Sequence, residues 1–374
     1  MNISSSPQHL GSSAPLRILV TGAAGFIGWK VCEFLLSNPH AIPLPQSQSD
    51  SKTIQVYGID NLNRYYDVRL KRWRLEQLSH LSSSSESSEF IFHKIDIEDY
   101  NEVKQLVIKA SESKFSYPRT SKNRSSSPSF DAVINLAARA GVRYSIENPF
   151  VYFTTNVIGN LNLLELCRQF NIKKYILAST SSLYAGQKMP FNEELPVNEP
   201  ISPYAASKKG AEVTCYTYHK LFGIDVSILR YFTVYGPAGR PDMSVFRFIS
   251  WVDQEKPVII YGDGNQSRDF TYVDDIAQGT CAALKPVGFN VINLGSDAPH
   301  KLIDVLEIIE NKLTKKAKIT YEPFHPADML ATWADITKAR YILEWQPKVK
   351  IQKGLEAAID WYRDNRAWAS KIKL

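Results

Sequence analysis

The amino-acid sequence predicts an α/β protein in which a doubly wound parallel sheet is joined to a smaller C-terminal lobe. Up to about residue 236, short apolar runs alternate with segments of helical periodicity, a pattern typical of βαβ units. After Pro237 this alternation weakens. We therefore predict a flexible N-terminus over 1–15, a sheet domain over 16–236 and a lobe over 237–374. The lobe is expected to pack over the open end of the sheet, with some of its later segments returning to the sheet domain.

The individual elements follow from apolar runs of strand length and from apolar residues that recur every three to four positions. In the sheet domain the predicted strands are 17–20, 54–59, 90–95, 132–136, 174–178 and 225–230, and the predicted helices are 26–36, 101–110, 150–170 and 204–222. In the lobe the predicted strands are 257–261, 289–294 and 317–321, and the predicted helices are 302–313 and 354–363.

Three Ser-rich stretches interrupt the pattern, at 37–52, 79–89 and 111–129. Segments of this composition bury too little apolar surface to order themselves firmly. We interpret them as surface insertions into connections of the first domain, with regulatory phosphorylation loops as the alternative.

The overall composition is that of a globular protein, with 44% apolar and 22% charged residues and a net charge of +6. This mild basic excess suits ordinary solubility or an anionic substrate. The four cysteines are scattered and no pair has metal-ligand spacing, so we expect reduced, buried thiols and no metal. The longest apolar stretches are of strand length, and the start of the chain has no signal-peptide features. We expect a cytoplasmic protein with no membrane or nucleic-acid partner.

A glycine-rich turn, Gly22–Gly28, directly follows the first predicted strand and opens the first predicted helix. Its GxxGxxG spacing favours dinucleotide binding, because glycine permits a tight turn and lets the backbone approach a pyrophosphate closely. The helix N-terminus then offers free N–H groups and a favourable dipole to the phosphates. In this Rossmann-type domain, the residues expected to bind the cofactor through the turn are Gly22, Gly25, Phe26, Ile27 and Gly28.

The ends of the next strands carry further candidate cofactor ligands. Asp60 closes the second strand, where a carboxylate accepts hydrogen bonds from the adenosine ribose and repels a 2′-phosphate, so it favours NAD over NADP. Arg64 lies nearby and leaves NADP as the alternative. For the candidates at the ends of the third and fourth strands, the alternative interpretation is a polar cap of the strand end. The remaining candidates at strand ends are Asp96 and Ile97 for the adenine, and Leu136, Ala137 and Ala138, which are small or apolar and let the cofactor lie against the backbone.

Tyr204 and Lys208 are four residues apart on a predicted helix and therefore share one face. A lysine ammonium, together with the nicotinamide charge, favours the phenolate and lowers the tyrosine pKa. The tyrosine can then take a proton from a sugar hydroxyl while a hydride leaves for NAD. Upstream, Thr180 follows a predicted strand, and its hydroxyl can bond the reacting oxygen. These residues are the candidate catalytic set.

With these motifs, the chain resembles the extended short-chain dehydrogenase/reductase superfamily, and within it the NAD-dependent nucleotide-sugar epimerases. The resemblance extends from Arg17 to the C-terminus apart from the three insertions. The subgroup of UDP-glucuronic acid 4-epimerases is the most similar, through the loop Ala140–Ser145 and the segments 230–237 and 239–243.

The resemblance implies roles for particular residues. Tyr204 is expected to be the base, Lys208 its electrostatic partner and ligand of the nicotinamide ribose, and Thr180 the hydroxyl that bonds the C4 oxygen. Tyr231 is expected to complete the cofactor site. The residues expected to bind the UDP-sugar are Arg143, Ser181 and Ser182 along the sugar, Thr233 and Arg240 on its carboxylate, and Arg268 on its diphosphate. For Arg268 a solvated salt bridge with Asp269 is the alternative.

The resemblance also separates reaction types. Related dehydratases place Asp-Glu directly after the catalytic threonine, whereas Ser181 and Ser182 stand here. Without an extra acid or base, a 4-keto sugar is expected to rotate and accept the hydride on its other face, so epimerisation is favoured. The alternatives are a 4-epimerase of UDP-glucose or UDP-N-acetylglucosamine, which the small Thr332 would admit, a UDP-glucuronate decarboxylase, and a non-catalytic NAD-binding scaffold. A homodimer formed through helices 150–170 and 204–222 is also expected.

Overall fold

The computed structural model describes residues 15–43, 53–112, 129–324 and 328–373. The predicted N-terminal segment up to residue 14, most of the predicted insertion 37–52 and nearly all of the insertion 111–129 lie outside the described residues.

The described strands are β1 Leu16–Thr21, β2 Ile54–Ile59, β3 Ser88–His93, β4 Ala132–Asn135, β5 Lys174–Thr180, β6 Asp225–Tyr231, β7 Thr233–Tyr235, β8 Pro257–Tyr261, β9 Ser267–Tyr272, β10 Phe289–Leu294, β11 Pro299–Lys301 and β12 Lys318–Glu322. The described α-helices are α1 Phe26–Ser37, α2 Val68–Ser83, α3 Tyr100–Glu112, α4 Val142–Glu147, α5 Phe150–Phe153, α6 Asn160–Gln169, α7 Pro203–Phe222, α8 Ser244–Asp253, α9 Val273–Ala282, α10 Leu302–Leu313, α11 Thr337–Leu343, α12 Ile351–Asp364 and α13 Arg366–Ala369.

A parallel sheet of seven strands lies at the centre, in the order β10-β6-β5-β4-β1-β2-β3. Successive residues of a strand point to opposite faces of the sheet. Because helices cover both faces, the middle strands are apolar on both sides and contribute to two cores. In β1, Val20 packs with α1 and α2 on one face, whereas Leu19 packs with α3, α6 and α7 on the other. This sandwich of helices around a parallel sheet confirms the predicted fold class.

The lobe contains two small sheets. One has the order β11-β9-β7, and the other pairs β12 with β8. The apolar face of α12 closes the lobe, with Trp361 and Tyr362 against Phe246 of α8. Strand β10 lies in the main sheet, so a division at residue 237 does not separate the sheet from the lobe.

Two predicted elements differ from the structure, and several helices were not predicted. The predicted helix 150–170 is interrupted by a π-helical turn at Thr154–Gly159. The stretch 79–89, predicted as an insertion, is largely regular, because α2 continues to Ser83 and β3 begins at Ser88. Serine hydroxyls in this part of α2 bond carbonyl groups one turn earlier, as Ser83 does to Ser79, so these polar side chains are satisfied within the helix. Helices α2, α8 and α9 were not predicted.

Candidate active site

A large cavity of about 760 Å³ lies at the carboxyl ends of the main strands, beneath the lobe. It is positioned at the point where the strand order reverses between β1 and β4, which is where doubly wound sheets bind ligands. Every residue predicted to bind cofactor or substrate, or to act in catalysis, contributes to its wall.

The Gly22–Gly28 turn forms one end of this wall. Gly22 has a φ of +69°, and a Cβ there would lie 2.8 Å from the backbone nitrogen of Ala137. A Cβ on Gly28 would lie 2.1 Å from the Gly22 carbonyl oxygen. The turn therefore admits no side chain at either position. Because no described side chain caps the N-terminus of α1, its first N–H groups remain available to an anion.

Asp60 lies at the end of β2 and is buried. Its Oδ1 accepts hydrogen bonds from Lys71 Nζ at 3.0 Å and from the Leu62 backbone at 2.7 Å. Arg64 is exposed and does not contribute to the cavity wall, so it is not placed to meet a 2′-phosphate. At the end of the next strand, Asp96 accepts a hydrogen bond from Asn61 at 2.7 Å.

Tyr204 and Lys208 lie one turn apart on α7, and both face the cavity with Thr180. The helix begins with Ser202, whose hydroxyl accepts from the Ala205 backbone at 3.2 Å, and this cap fixes the start of the first turn. Burial raises the pKa of Tyr204 because it disfavours the phenolate. A hydrogen bond with Thr180 and the positive charge of Arg240 act in the opposite direction.

Lys208 is buried, and its Nζ donates to the Ala178 carbonyl at 3.0 Å. Burial lowers the pKa of Lys208 to about 8, although the carboxylate of Glu212 favours the ammonium. Among the described residues, Thr180 and Arg240 favour the phenolate of Tyr204, and the Lys208 ammonium donates to a backbone carbonyl. The expectation that Lys208, together with the nicotinamide charge, lowers the tyrosine pKa stays a prediction.

Arg240 reaches the cavity next to Thr233, but its guanidinium is already engaged. Its Nε and Nη2 donate to the two carboxylate oxygens of Asp242 at 3.0 and 2.5 Å. This bidentate pair holds the pKa of Asp242 below its usual range. Arg240 can contribute its remaining N–H groups to a substrate, but the positive charge is shared with Asp242.

Two further arginines lie at the lobe side of the cavity. Arg143 forms an ion pair with Asp328 at 2.6 Å and lies over the ring of Tyr261 at 3.9 Å from its centroid. Burial and the charge of Arg143 lower the pKa of Arg268. Arg268 does not pair with Asp269, whose carboxylate instead accepts from backbone N–H groups such as Ser296 and Ala334.

Several residues of the cavity wall were not predicted from the sequence. Asp242 and Asp328 are the partners of two predicted arginines, and Gln266 has a buried Oε1 with no hydrogen-bond partner among the described residues. Tyr152, which does not line the cavity itself, lies edge-on to Tyr204 with ring centroids 6.0 Å apart. Only Asp242 gave a sequence signal, since it stands two residues after Arg240 in a segment already singled out.

The fold and the site together define a class of protein, a dinucleotide-dependent enzyme with a Tyr-x-x-x-Lys pair at the end of a Rossmann-type sheet. The family model described as GDP-mannose 4,6 dehydratase matches residues 122–358. A UDP-glucuronate 4-epimerase of Thermodesulfobacterium geofontis is 50% identical over 95% of this chain and 99% of its own. UDP-glucuronate 4-epimerase 1 of Arabidopsis thaliana is 35% identical over 97% of this chain and 80% of its own.

Among solved structures, UDP-glucuronic acid 4-epimerase from Bacillus cereus, in complex with UDP-glucuronic acid and NAD, is similar with a TM-score of 0.78. It is 35% identical, and the match covers 94% of this chain and all of that one. The chain therefore belongs to the nucleotide-sugar epimerases of the extended short-chain dehydrogenase/reductase superfamily.

Proposed function

We propose that this chain is an NAD-dependent 4-epimerase that interconverts UDP-glucuronate and UDP-galacturonate. The observation that carries the proposal is the meeting, in one cavity, of the glycine turn with the Tyr204, Lys208 and Thr180 side chains. The similarity to UDP-glucuronate 4-epimerases over nearly the whole chain supports the substrate.

The residues present fit NAD. The turn excludes side chains where a pyrophosphate must approach the backbone, and Asp60 retains an Oδ2 without a partner among the described residues for a ribose hydroxyl. The cofactor, when bound, would accept a hydride from C4 of the sugar and return it to the opposite face. Lys208 would hold its ribose, and Asp60 its adenosine end.

The side chains of the chain itself manage the proton. Tyr204 takes the proton from the C4 hydroxyl as the carbonyl forms, and Thr180, hydrogen-bonded to Tyr204, orients the same oxygen. Ser181 and Ser182 follow Thr180 in the wall and offer neutral hydroxyls only. With no acid or base at these positions, the 4-keto sugar has reduction on its other face as its route forward.

We assign the sugar carboxylate to the hydroxyls of Ser181, Ser182 and Thr233 together with the free N–H groups of Arg240. We assign the diphosphate to Arg143 and Arg268, whose mutual repulsion a dianion would relieve. A second candidate substrate is an N-acetylated UDP-hexose, favoured by Thr332, which is small and lines the cavity.

The test is to incubate the purified protein with UDP-glucuronate and no added NAD, and to separate the products. Appearance of UDP-galacturonate supports the proposal. Release of a UDP-pentose with carbon dioxide, or turnover of neutral UDP-hexoses alone, refutes it. The same assay with UDP-N-acetylglucosamine decides the second candidate.

We also propose a homodimer and a cytoplasmic location. Large apolar side chains are exposed side by side on two neighbouring stretches, the segment α5 to α6 and helix α7, and they include Phe150, Phe153, Ile158, Val213, Tyr216 and Leu221. Exposed apolar surface of this kind marks association sites.

The proposed location is consistent with the four buried free cysteines, which suit a reducing compartment. Within the described residues, no helix has the length and apolar character required to cross a membrane.

A further inference from the structure

Arg74 of helix α2 is fully buried, and no carboxylate pairs with it within the described parts of the chain. Its Nη1 donates to the Ala24 carbonyl at 3.0 Å and to the Tyr66 hydroxyl at 2.7 Å, and its Nη2 donates to the Ala238 carbonyl at 2.6 Å. The Nε has no partner among the described residues. All of these acceptors are neutral. Burying a cation is costly unless an anion compensates it, so this charge calls for a counter-ion.

The position of Arg74 indicates where that anion belongs. Ala24 lies inside the Gly22–Gly28 turn, so the guanidinium sits directly behind the turn's backbone. The Phe26 ring lies 5.8 Å from the guanidinium carbon, and both Phe26 and Tyr66 form part of the cavity wall. The charge is thus one residue layer away from the N-terminus of α1.

Two positive sources therefore act on the same part of the cavity. The helix N-terminus carries a partial positive charge, and the guanidinium adds a full charge in a region from which water is excluded. The hydrogen bond to the Ala24 carbonyl also ties the guanidinium to the backbone of the turn, whose residues Gly22, Gly25 and Gly28 line the cavity. A ligand with two adjacent negative charges matches this arrangement.

We propose that Arg74 is the buried counter-charge of the dinucleotide's pyrophosphate and that it acts through the Gly22–Gly28 turn as a positioning residue. The inference rests on the proposed function, since NAD supplies the pyrophosphate. Arg74 does not itself line the cavity, so its effect is on the turn and its electrostatic potential.

The other end of the guanidinium reaches the sugar site. Ala238 has a φ of +50°, a left-handed conformation that is unfavourable for alanine. The 2.6 Å hydrogen bond from Arg74 to its carbonyl holds this conformation two residues before Arg240. One side chain thereby fixes the phosphate turn and the segment that carries Arg240.

The experiment compares three variants with the wild-type protein. Arg74→Gln removes the charge and keeps hydrogen-bond donors, Arg74→Lys keeps the charge, and Arg72→Met is the matched control at an exposed arginine of the same helix. Two quantities are measured: the NAD released per chain by acid from the purified protein, and the Kd values for NAD and for UDP by calorimetry.

We expect Arg74→Gln to weaken NAD binding by about tenfold or more, Arg74→Lys to recover a large part of the loss, and Arg72→Met to match the wild type. UDP affinity should stay at the wild-type value, because Arg143 and Arg268 are assigned to that diphosphate. Equal NAD binding by Arg74→Gln and wild type overturns the inference, as does an equal loss for NAD and UDP, which indicates a structural role.

Two further outcomes keep the inference separate from other failures. If Arg74→Gln cannot be purified folded, Arg74→Met makes the same comparison with Arg74→Lys, and NAD binding by Met at or above that of Lys refutes a role for charge. If the wild-type protein itself binds no NAD, the proposed function fails. If the wild-type protein binds NAD and the Arg74 variants bind it equally well whether or not they carry the charge, this inference alone fails.

Discussion

At the scale of single residues, the proposed chemistry depends on a tyrosine whose burial opposes its own ionisation. The hydrogen bond with Thr180 and the charge of Arg240 offset part of this effect, and the bound cofactor's nicotinamide would add to them. The protein's own groups therefore do not fully offset the effect of burial on Tyr204, and the cofactor's charge is expected to supply the rest.

Replacing Tyr204 with phenylalanine should reduce kcat by about 10²- to 10⁴-fold, because the base is lost while the ring's packing against Tyr152 is preserved. NAD content should be unchanged. The matched control is Tyr216→Phe, which alters an exposed tyrosine of the same helix and should leave kcat at the wild-type value. Turnover by Tyr204→Phe at the wild-type rate would show that Tyr204 is not the base, and no turnover by either protein in any assay would support the scaffold alternative.

The alkaline limb of the pH–rate profile should report Lys208. Burial lowers its pKa to about 8, with Glu212 and Cys215 as the titratable neighbours on its own helix that act the other way. The ammonium is present below this pH and is lost as the pH rises through it. We therefore expect kcat to fall above about pH 8, and Lys208→Met to show a low rate without that limb. A wild-type rate that keeps rising well above this pH would contradict the assignment.

Much of the candidate site can be predicted from the sequence because its motifs are local. The glycine turn, the Tyr-x-x-x-Lys pair and the strand-end Thr180 are each recognisable within a few residues. The contacts that modify these residues are not local. Asp328 reaches Arg143 across 185 positions, and Arg74 meets Ala238 across 164. No local pattern encodes such pairs, so the ion pair of Arg143 and the burial of Arg74 became visible only in three dimensions.

At the scale of elements, helix α7 carries three successive buried functional side chains on one face. Glu212 follows Lys208 by one turn and makes a bidentate ion pair with Arg230 of β6, with N–O distances of 2.9 and 2.8 Å. Its Oε1 also accepts from Ser179, the neighbour of Thr180, at 2.6 Å. The pair thus ties α7 to the ends of β5 and β6, where the catalytic groups stand.

Removing one partner of this ion pair should lower the free energy of unfolding strongly, whereas replacing both partners with apolar residues should lower it little. Arg230→Met alone removes the bidentate partner of the buried Glu212 carboxylate and leaves it only the Lys209 ammonium, at 3.8 Å, as an ion-pair partner among the described residues, and it should lower the free energy of unfolding by about 3–5 kcal/mol. The double variant Glu212→Met/Arg230→Met should recover most of that loss. Urea denaturation measures both, with Arg168→Met in the exposed pair with Glu165 as a control of small effect. Additive losses in the double variant would show that the pair is not coupled.

Element prediction was accurate where burial was two-sided and weak where it was not. The bounds of β2 were predicted to the residue, since an apolar run bounded by polar residues leaves little choice. The π-helical turn inside 150–170 escaped prediction, because it places Asn156 against the Arg139 backbone and the Ser207 hydroxyl, and both partners are remote in the sequence. Helix α2 is polar on average, with its apolar face too narrow to stand out.

At the scale of the whole molecule, the cavity is closed by parts of the chain that lie far apart in sequence. The sheet domain contributes the glycine turn and, from helix α7, the Tyr204–Lys208 pair, and the lobe contributes Arg268 and Thr332. Cofactor and sugar therefore share one space with no wall between them. Such a layout suits a reaction in which a hydride leaves the sugar and returns to it without release of either molecule.

The same layout leaves α5, the π-helical turn and α7 with their outer faces uncovered. Phe150 is 80% exposed and Val213 is 50% exposed, values that are unfavourable for such side chains in a monomer. Because these helices pack against the sheet on their inner faces, a second copy related by a two-fold axis can cover both outer faces at once.

Light scattering should report a dimer for the wild-type protein at micromolar concentration and a monomer for Phe150→Glu/Val213→Glu. Tyr341→Glu, at an equally exposed aromatic residue on α11, should remain dimeric, and all three proteins should retain their NAD. A wild-type monomer, or a dimer that survives both glutamates, would place the association surface elsewhere.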